Sequence, residues 1–90
     1  MQTLNIEGEM TIYTAAEQKN LLLAFIASGH TLEINLSQVN ELDTAGTQLL
    51  ILAKQHAAKA QKQLRFVMHS KAVLDVLALA NLTSLLAHSD

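Results

Sequence analysis

The sequence predicts a small α/β domain, a mixed four- to five-stranded sheet with helices packed mainly on one face. Three observations carry that expectation. Short segments with period-two alternation take turns with helical segments of roughly 10 to 18 residues, the pattern of crossover connections. The clearest strand, "TLEINL", is apolar on one side only, which suits a sheet covered from one side. Half of the 90 residues are hydrophobic, enough for one core and one domain over residues 1–90.

The elements follow in order. In "TLNIEG", Leu4 and Ile6 point one way, Asn5 and Glu7 the other, and Gly8 is expected to end this strand. "MTI", Met10 to Ile12, reads as a short second strand or extended arm, so that the first two pieces form an antiparallel edge. Thr14, with Glu17 three residues on, has the capping-box pattern. The helix behind it runs to about Ser28. It buries Ala15, Leu22, Phe25 and Ile26, widened by Ala16, Leu21 and Leu23, and Gly29 is placed to stop it. In "TLEINL", Leu32, Ile34 and Leu36 face inward, while Thr31, Glu33 and Asn35 face out. "SQVNELD" reads as a connection anchored by Val39 and Leu42.

A second helix is expected from about Thr44 to Gln61, with Leu49, Leu50, Leu52, Ala53, Ala57 and Ala60 at helical spacing. Its lysines, Lys54 and Lys59 with Lys62 just beyond, sit toward the C-terminal half, as the macrodipole favours. "QLRFVMH" is a strand with Leu64, Phe66 and Met68 on one face. Ser70 caps a third helix to about Leu79, and Asn81 suits the left-handed position after it. "LTSLLAHSD" packs Leu82, Leu85 and Leu86 and then frays.

Composition narrows the function. There is no cysteine, so neither disulfides nor thiolate metal sites are available. The start "MQTLNIEGEM" has neither a basic region nor a long apolar run, so no signal peptide is expected. No stretch of about 18 apolar residues occurs, so no membrane insertion is expected, and the chain reads as cytoplasmic. The net charge is −2, and the aromatics are Tyr13, Phe25 and Phe66 alone. Nucleic-acid binders carry a basic stripe, and nucleic acid is not an expected partner. His30, His56, His69 and His88 show no ligand spacing, so no metal is expected. No phosphate-cradling glycine loop and no acid/base pair is visible, so neither cofactor nor catalysis is expected.

One junction stands out: "ELDTAGTQLL", residues 41–50. An acid is followed by a hydroxyl, and small residues open a helix. The plain reading is a cap, with Asp43 as N-cap and Thr44 as the first helical residue. The alternative is a phosphorylation site. A phosphate on Thr44 would lie beside N–H groups that favour anions, and would add about −1.5 to −2 charges next to Asp43. Ala45 and Gly46 are both small, as though something approaches this turn closely, either a neighbouring loop or a partner.

Three stretches together resemble the STAS domains (sulphate transporter and anti-sigma factor antagonist). They are "GEMTIYTAAE" (8–17), "LEINLSQVNELDTAG" (32–46) and "HSKAVLDVLALANLTSLL" (69–86). The likeness spans essentially the whole chain. It implies a STAS-type α/β fold and a non-enzymatic protein-interaction module in bacterial signalling. In anti-sigma factor antagonists the hydroxyl residue after the Asp is phosphorylated by a partner serine kinase, which releases that partner, and a phosphatase resets it. That position is Thr44 here, with Asp43 and Gly46 matching the family's acid and glycine. Partner contacts are then expected from Asp43, Ala45, Gly46, Thr47, Thr11 and Tyr13, on a monomer or weak dimer, with a serine/threonine kinase or another signalling protein.

The chain departs from the pattern in places. Thr44 stands where Ser is usual, Ala45 follows it, and Gly46 continues as Thr47 and Gln48. Thr11 replaces the Asp that meets the kinase anti-sigma factor. Asp-Thr-Ala-Gly looks more like STAS proteins found beside chemotaxis genes. Others with Asp-Thr-x-Gly are the small cytosolic subunit of a phospholipid-transporting ABC system, where the Thr serves packing. Both alternatives stand beside the kinase reading.

Overall fold

The computed structural model describes residues 1–86. Its elements are β1 (Gln2–Met10), α1 (Ala15–Ala27), β2 (Thr31–Leu42), α2 (Thr44–Lys59), β3 (Gln63–Val67) and α3 (Lys71–Leu79), closed by a 3-10 turn over Thr83–Leu86. The three strands form one sheet in the order β1-β2-β3, and both pairings are parallel. The expected four to five strands and the antiparallel edge are therefore corrected. "MTI" is not a second strand, because Met10 ends β1 and the chain turns at Thr11. The expected fraying and His88 lie outside the described residues.

Two irregularities explain why β2 is longer than its alternation suggested. Asn5 pairs with Asn35, Glu7 with Gln38 and Gly8 with Val39, and Glu9 then pairs with Glu41. β2 therefore gains a residue on β1 twice, between Asn5 and Glu7 and again between Gly8 and Glu9. Each gain is bulge-like and shifts the side-chain phase by one. Strict alternation in Leu32, Ile34 and Leu36 gives way to spacing by three in Leu36, Val39 and Leu42, all buried. "SQVNEL" is thus strand, where a period-two reading sees a connection. Gly8 sits within β1 at φ +82 and does not end it.

One core joins the layers. Ile6, Met10, Leu32, Ile34, Leu36, Leu64 and Phe66 of the sheet meet Leu22 and Ile26 of α1, Leu49, Leu50, Ala53 and Ala57 of α2, and Val73 and Leu77 of α3. Each large apolar side chain removed from water in this way contributes about 1.5–3 kcal/mol. On the alternate positions of β2, Thr31, Glu33 and Asn35 stay half-exposed, and Glu33 accepts a 2.6 Å ion-pair contact from Arg65 on β3. Lys54 lies along the core edge. Its Nζ donates to the Leu64 carbonyl at 2.7 Å and stands 5.6 Å from the centre of the Phe66 ring, and burial pushes its ammonium below the usual lysine value.

Helix ends agree with the sequence in part. Ser70 caps α3 by accepting from the Val73 N–H, and Asn81 takes a left-handed φ of 59. The capping box at Thr14 does not form, because that side chain is engaged by the preceding turn. Gly29 is not left-handed; α1 ends with the Ser28 hydroxyl and N–H on the Phe25 carbonyl. The apolar face of α1 is narrower than expected, with Leu21 half in water and Ala16 exposed. Met68 does not continue the inward row of β3: its φ is 57 and it is exposed, since the strand has ended at Val67.

Gly8 gives a direct check on the first strand. No heavy atom lies within 4 Å of a Cβ built there, so only backbone conformation opposes a side chain. Gly8→Ala is expected to lower stability by about 1–2 kcal/mol, and Gly8→Asn by less, measured as urea midpoints at constant slope.

Candidate functional site

The site is built where β1 ends, β2 ends and α2 begins. Asp43 has extended backbone angles, φ −113 and ψ −170, which aim its side chain back along the first turn of α2. One carboxylate oxygen, Oδ1, accepts from the Gly46 N–H at 2.9 Å. The other, Oδ2, accepts from the Ile12 N–H, also at 2.9 Å, 31 residues away in sequence. The Asp43 N–H donates to the Met10 carbonyl at 3.3 Å, and the Thr47 hydroxyl donates to the Asp43 carbonyl at 2.9 Å. A single residue therefore caps a helix and pins the turn that leaves β1. The N–H groups of Gly46 first, and then of Ile12, hold the Asp43 carboxyl below its ordinary value, because they favour its charged form.

Gly46 explains how close these segments come. A Cβ there would lie 1.9 Å from the Met10 carbonyl oxygen and 2.7 Å from a Leu42 methyl group. What approaches the small residues of α2 is the end of β1 in the same chain, not a partner.

The turn itself is braced by its own polar groups. Thr11 is buried, at 2% exposure. Its N–H donates to Thr14 Oγ1 at 3.0 Å, its hydroxyl donates to Glu9 Oε2 at 3.1 Å, and its Oγ1 accepts from the Tyr13 N–H at 3.3 Å. Gln18 Nε2 donates to the Glu9 carbonyl at 2.8 Å from the first turns of α1. Upon this frame Ile12 and Tyr13 stand in water, 70% and 89% exposed.

The residues expected to contact a partner thus divide. Thr44 and Tyr13 are exposed, Asp43 and Ala45 are half-buried, and Gly46, Thr47 and Thr11 are buried. Thr11, expected among the partner contacts, is buried and braces the turn. The bond from the Ile12 N–H to Asp43 was missed, because the apolar Ile12 side chain reads as strand. Also missed was an open groove of about 410 Å³, lined by Asp43, Thr44, Thr47 and Gln48 on one side and Val76, Ala80 and Leu82 on the other. No local signal in the sequence brings the end of α3 to the start of α2. Among the described residues no His, Asp or Glu cluster is disposed to hold a metal, and no helix is long and apolar enough to cross a membrane.

Two outcomes test this geometry. Gly46→Ala forces Met10 and α2 apart and is expected to cost about 3 kcal/mol or more in urea unfolding. The Asp43 cap is expected to show its sign with pH. A carboxyl whose folded value lies below 3.8 stabilises fully above that value and loses its contribution as pH falls through the lowered one. The stability gap between wild type and Asp43→Ala should be widest near neutral pH and close in that acid window.

With the fold and site in place, comparison with known proteins gives a consistent result. The family model described as "Mlab, STAS domain" matches residues 1–87. Among solved structures, the chain is similar to the SulP transporter STAS domain from Vibrio cholerae, at 19% identity and TM-score 0.69, covering 96% of this chain and 67% of that one. It is similar to the anti-sigma factor antagonist SpoIIAA in its unphosphorylated form, at 13% identity and TM-score 0.73, covering 98% and 78%. It is also similar to the protein TM1081, at 21% identity and TM-score 0.74, covering 98% and 72%. At these identities the structures speak to the fold alone. No curated protein matches the sequence. The match over nearly the whole chain makes it a member of the STAS-domain family.

Proposed function

We propose that this STAS domain is a non-enzymatic, cytoplasmic protein-interaction module of bacterial signalling, anti-sigma factor antagonist-like, whose partner binding is switched by phosphorylation of Thr44. The observation that carries the reading is the pairing of an exposed hydroxyl with a hydrogen-bonded turn that holds Ile12 and Tyr13 in water. Thr44 opens α2 at the rim of the groove, and Asp43 beside it holds Ile12, whose neighbour Tyr13 is the most exposed aromatic of the chain. Aromatic and apolar side chains held in water are the usual anchors of protein interfaces. Val76, Ala80 and Leu82 extend the apolar surface beyond Thr44.

In the proposed switch a partner kinase transfers the terminal phosphoryl group of a nucleoside triphosphate to Thr44 Oγ1. The diphosphate leaves, and the hydroxyl proton passes to the kinase's base. The product places about −1.5 to −2 charges on the rim of an apolar groove. A partner side chain seated there would then lie against a strongly hydrated dianion, which favours release. The fold itself has little reason to fail, because Thr44 is exposed and α2 keeps its cap.

A second reading has its own support. The matching family model carries the description Mlab, and Asp43 is engaged in holding the end of β1 and the turn after it against the start of α2. In that reading the chain is the small cytosolic subunit of an ABC phospholipid transporter, and Thr44 serves packing against a neighbouring subunit.

Intact mass after co-expression with the cognate kinase separates the two. One added phosphate on wild type and none on Thr44→Ala supports the switch; no phosphate on wild type, or the same phosphate on the variant, ends it. Stable co-purification of a transporter ATPase with both wild type and Thr44→Glu would favour the second reading. Under the first, Tyr13→Ala is expected to weaken partner binding roughly tenfold or more while leaving the urea midpoint in place.

A further inference from the structure

The geometry points to Asp43 as a positioning residue that transmits the state of Thr44 to the exposed Ile12–Tyr13 turn, an inference that rests on the phosphorylation reading above. Two facts make the connection. The two oxygens of one carboxylate are divided between two segments, Oδ1 to the Gly46 N–H inside α2 and Oδ2 to the Ile12 N–H in the turn after β1. And Thr44, where the phosphate would go, is the next residue in the chain. The other side-chain bonds of the turn run within it or to α1: Thr11 and Thr14 bond to Glu9 and to each other, and Gln18 of α1 bonds to Thr14 and to the Glu9 carbonyl. Asp43 is the side chain that reaches the turn from α2.

A phosphate on Thr44 acts on that carboxylate in two ways. It is a strong acceptor placed at the first turn of α2, so it competes for the N–H groups that Asp43 now caps. It is also a dianion on the adjacent residue, so it repels Asp43. The helix end keeps an acceptor in either case, since phosphate replaces carboxylate. The Ile12 N–H does not, because it lies across the gap on another segment. Helix α2 therefore stays capped while the turn loses its side-chain tie to α2, and Ile12 and Tyr13 leave the conformation in which they dock. In this arrangement Asp43 need not touch the partner at all.

The test uses the full chain, phosphorylated on Thr44 by chemical synthesis and ligation, so that it does not depend on any kinase. Amide hydrogen exchange is followed residue by residue. Phosphorylation is expected to speed exchange at Ile12 by roughly tenfold or more relative to Leu50 in the core, with Gly46 and Thr47 still protected. A merely destabilised protein would move Leu50 as well. The single tyrosine, with no tryptophan in the chain, gives a second readout: Tyr13 fluorescence anisotropy is expected to fall. Asp43→Ser, which keeps one capping oxygen for α2, should reproduce the Ile12 effect without phosphate. Unchanged Ile12 exchange in the phosphorylated chain, or retained Ile12 protection in Asp43→Ser, overturns the inference. A phosphorylated chain that releases its partner while Ile12 stays protected overturns it too, and leaves the proposed function standing.

Discussion

One carboxylate holds the functional end of this domain together. Asp43 joins a helix start to a strand end through Oδ1 and Oδ2, each at 2.9 Å from a backbone N–H. Its own N–H and carbonyl add bonds to Met10 and Thr47. Burying α2 against the end of β1 leaves first-turn N–H groups that need acceptors. A neutral cap would satisfy the helix and leave the turn loose. An acid does both, and Gly46 lets the Met10 carbonyl come close enough for it to reach. The exposed positions of Ile12 and Tyr13 follow from this constraint.

The sheet serves that end. Parallel pairing puts the C-terminal ends of β1 and β2 side by side, at Met10 and Leu42. The two register shifts let β2 run on to Leu42 with Leu36, Val39 and Leu42 all in the core. Without them strict alternation from Leu36 would turn Val39 outward and bring Gln38 and Asn40 to the inner face. The rigid floor under the site is thus a consequence of irregular pairing.

Much of this was legible in the sequence. The capped start of α2 was, because an Asp before a helical run has one dominant use. So were the α/β class, the Ser70 cap and the left-handed Asn81. The rest was hidden for physical reasons. Bulges break the period that identifies a strand, so Ser37 to Leu42 looked like a connection and Gly8 like a stop. The triplet Met10 to Ile12, apolar at both ends, cannot announce that its first residue is buried at 0% and its last is 70% exposed. Thr11 looked available for contact and is buried within a polar network. The groove depends on Val76, Ala80 and Leu82 meeting Thr44 and Thr47, a long-range encounter that no local pattern encodes.

The central claim is that a partner protein docks on the Ile12–Tyr13 turn and the groove beside Thr44. The most direct measurement is a titration of isotope-labelled chain with the captured partner, following backbone amide shifts. Perturbations confined to residues 11–14, 44–48 and 76–82 are the predicted result. Perturbations centred instead on the polar strand positions Thr31, Glu33, Asn35 and Arg65, with the turn and the start of α2 unmoved, would contradict the account.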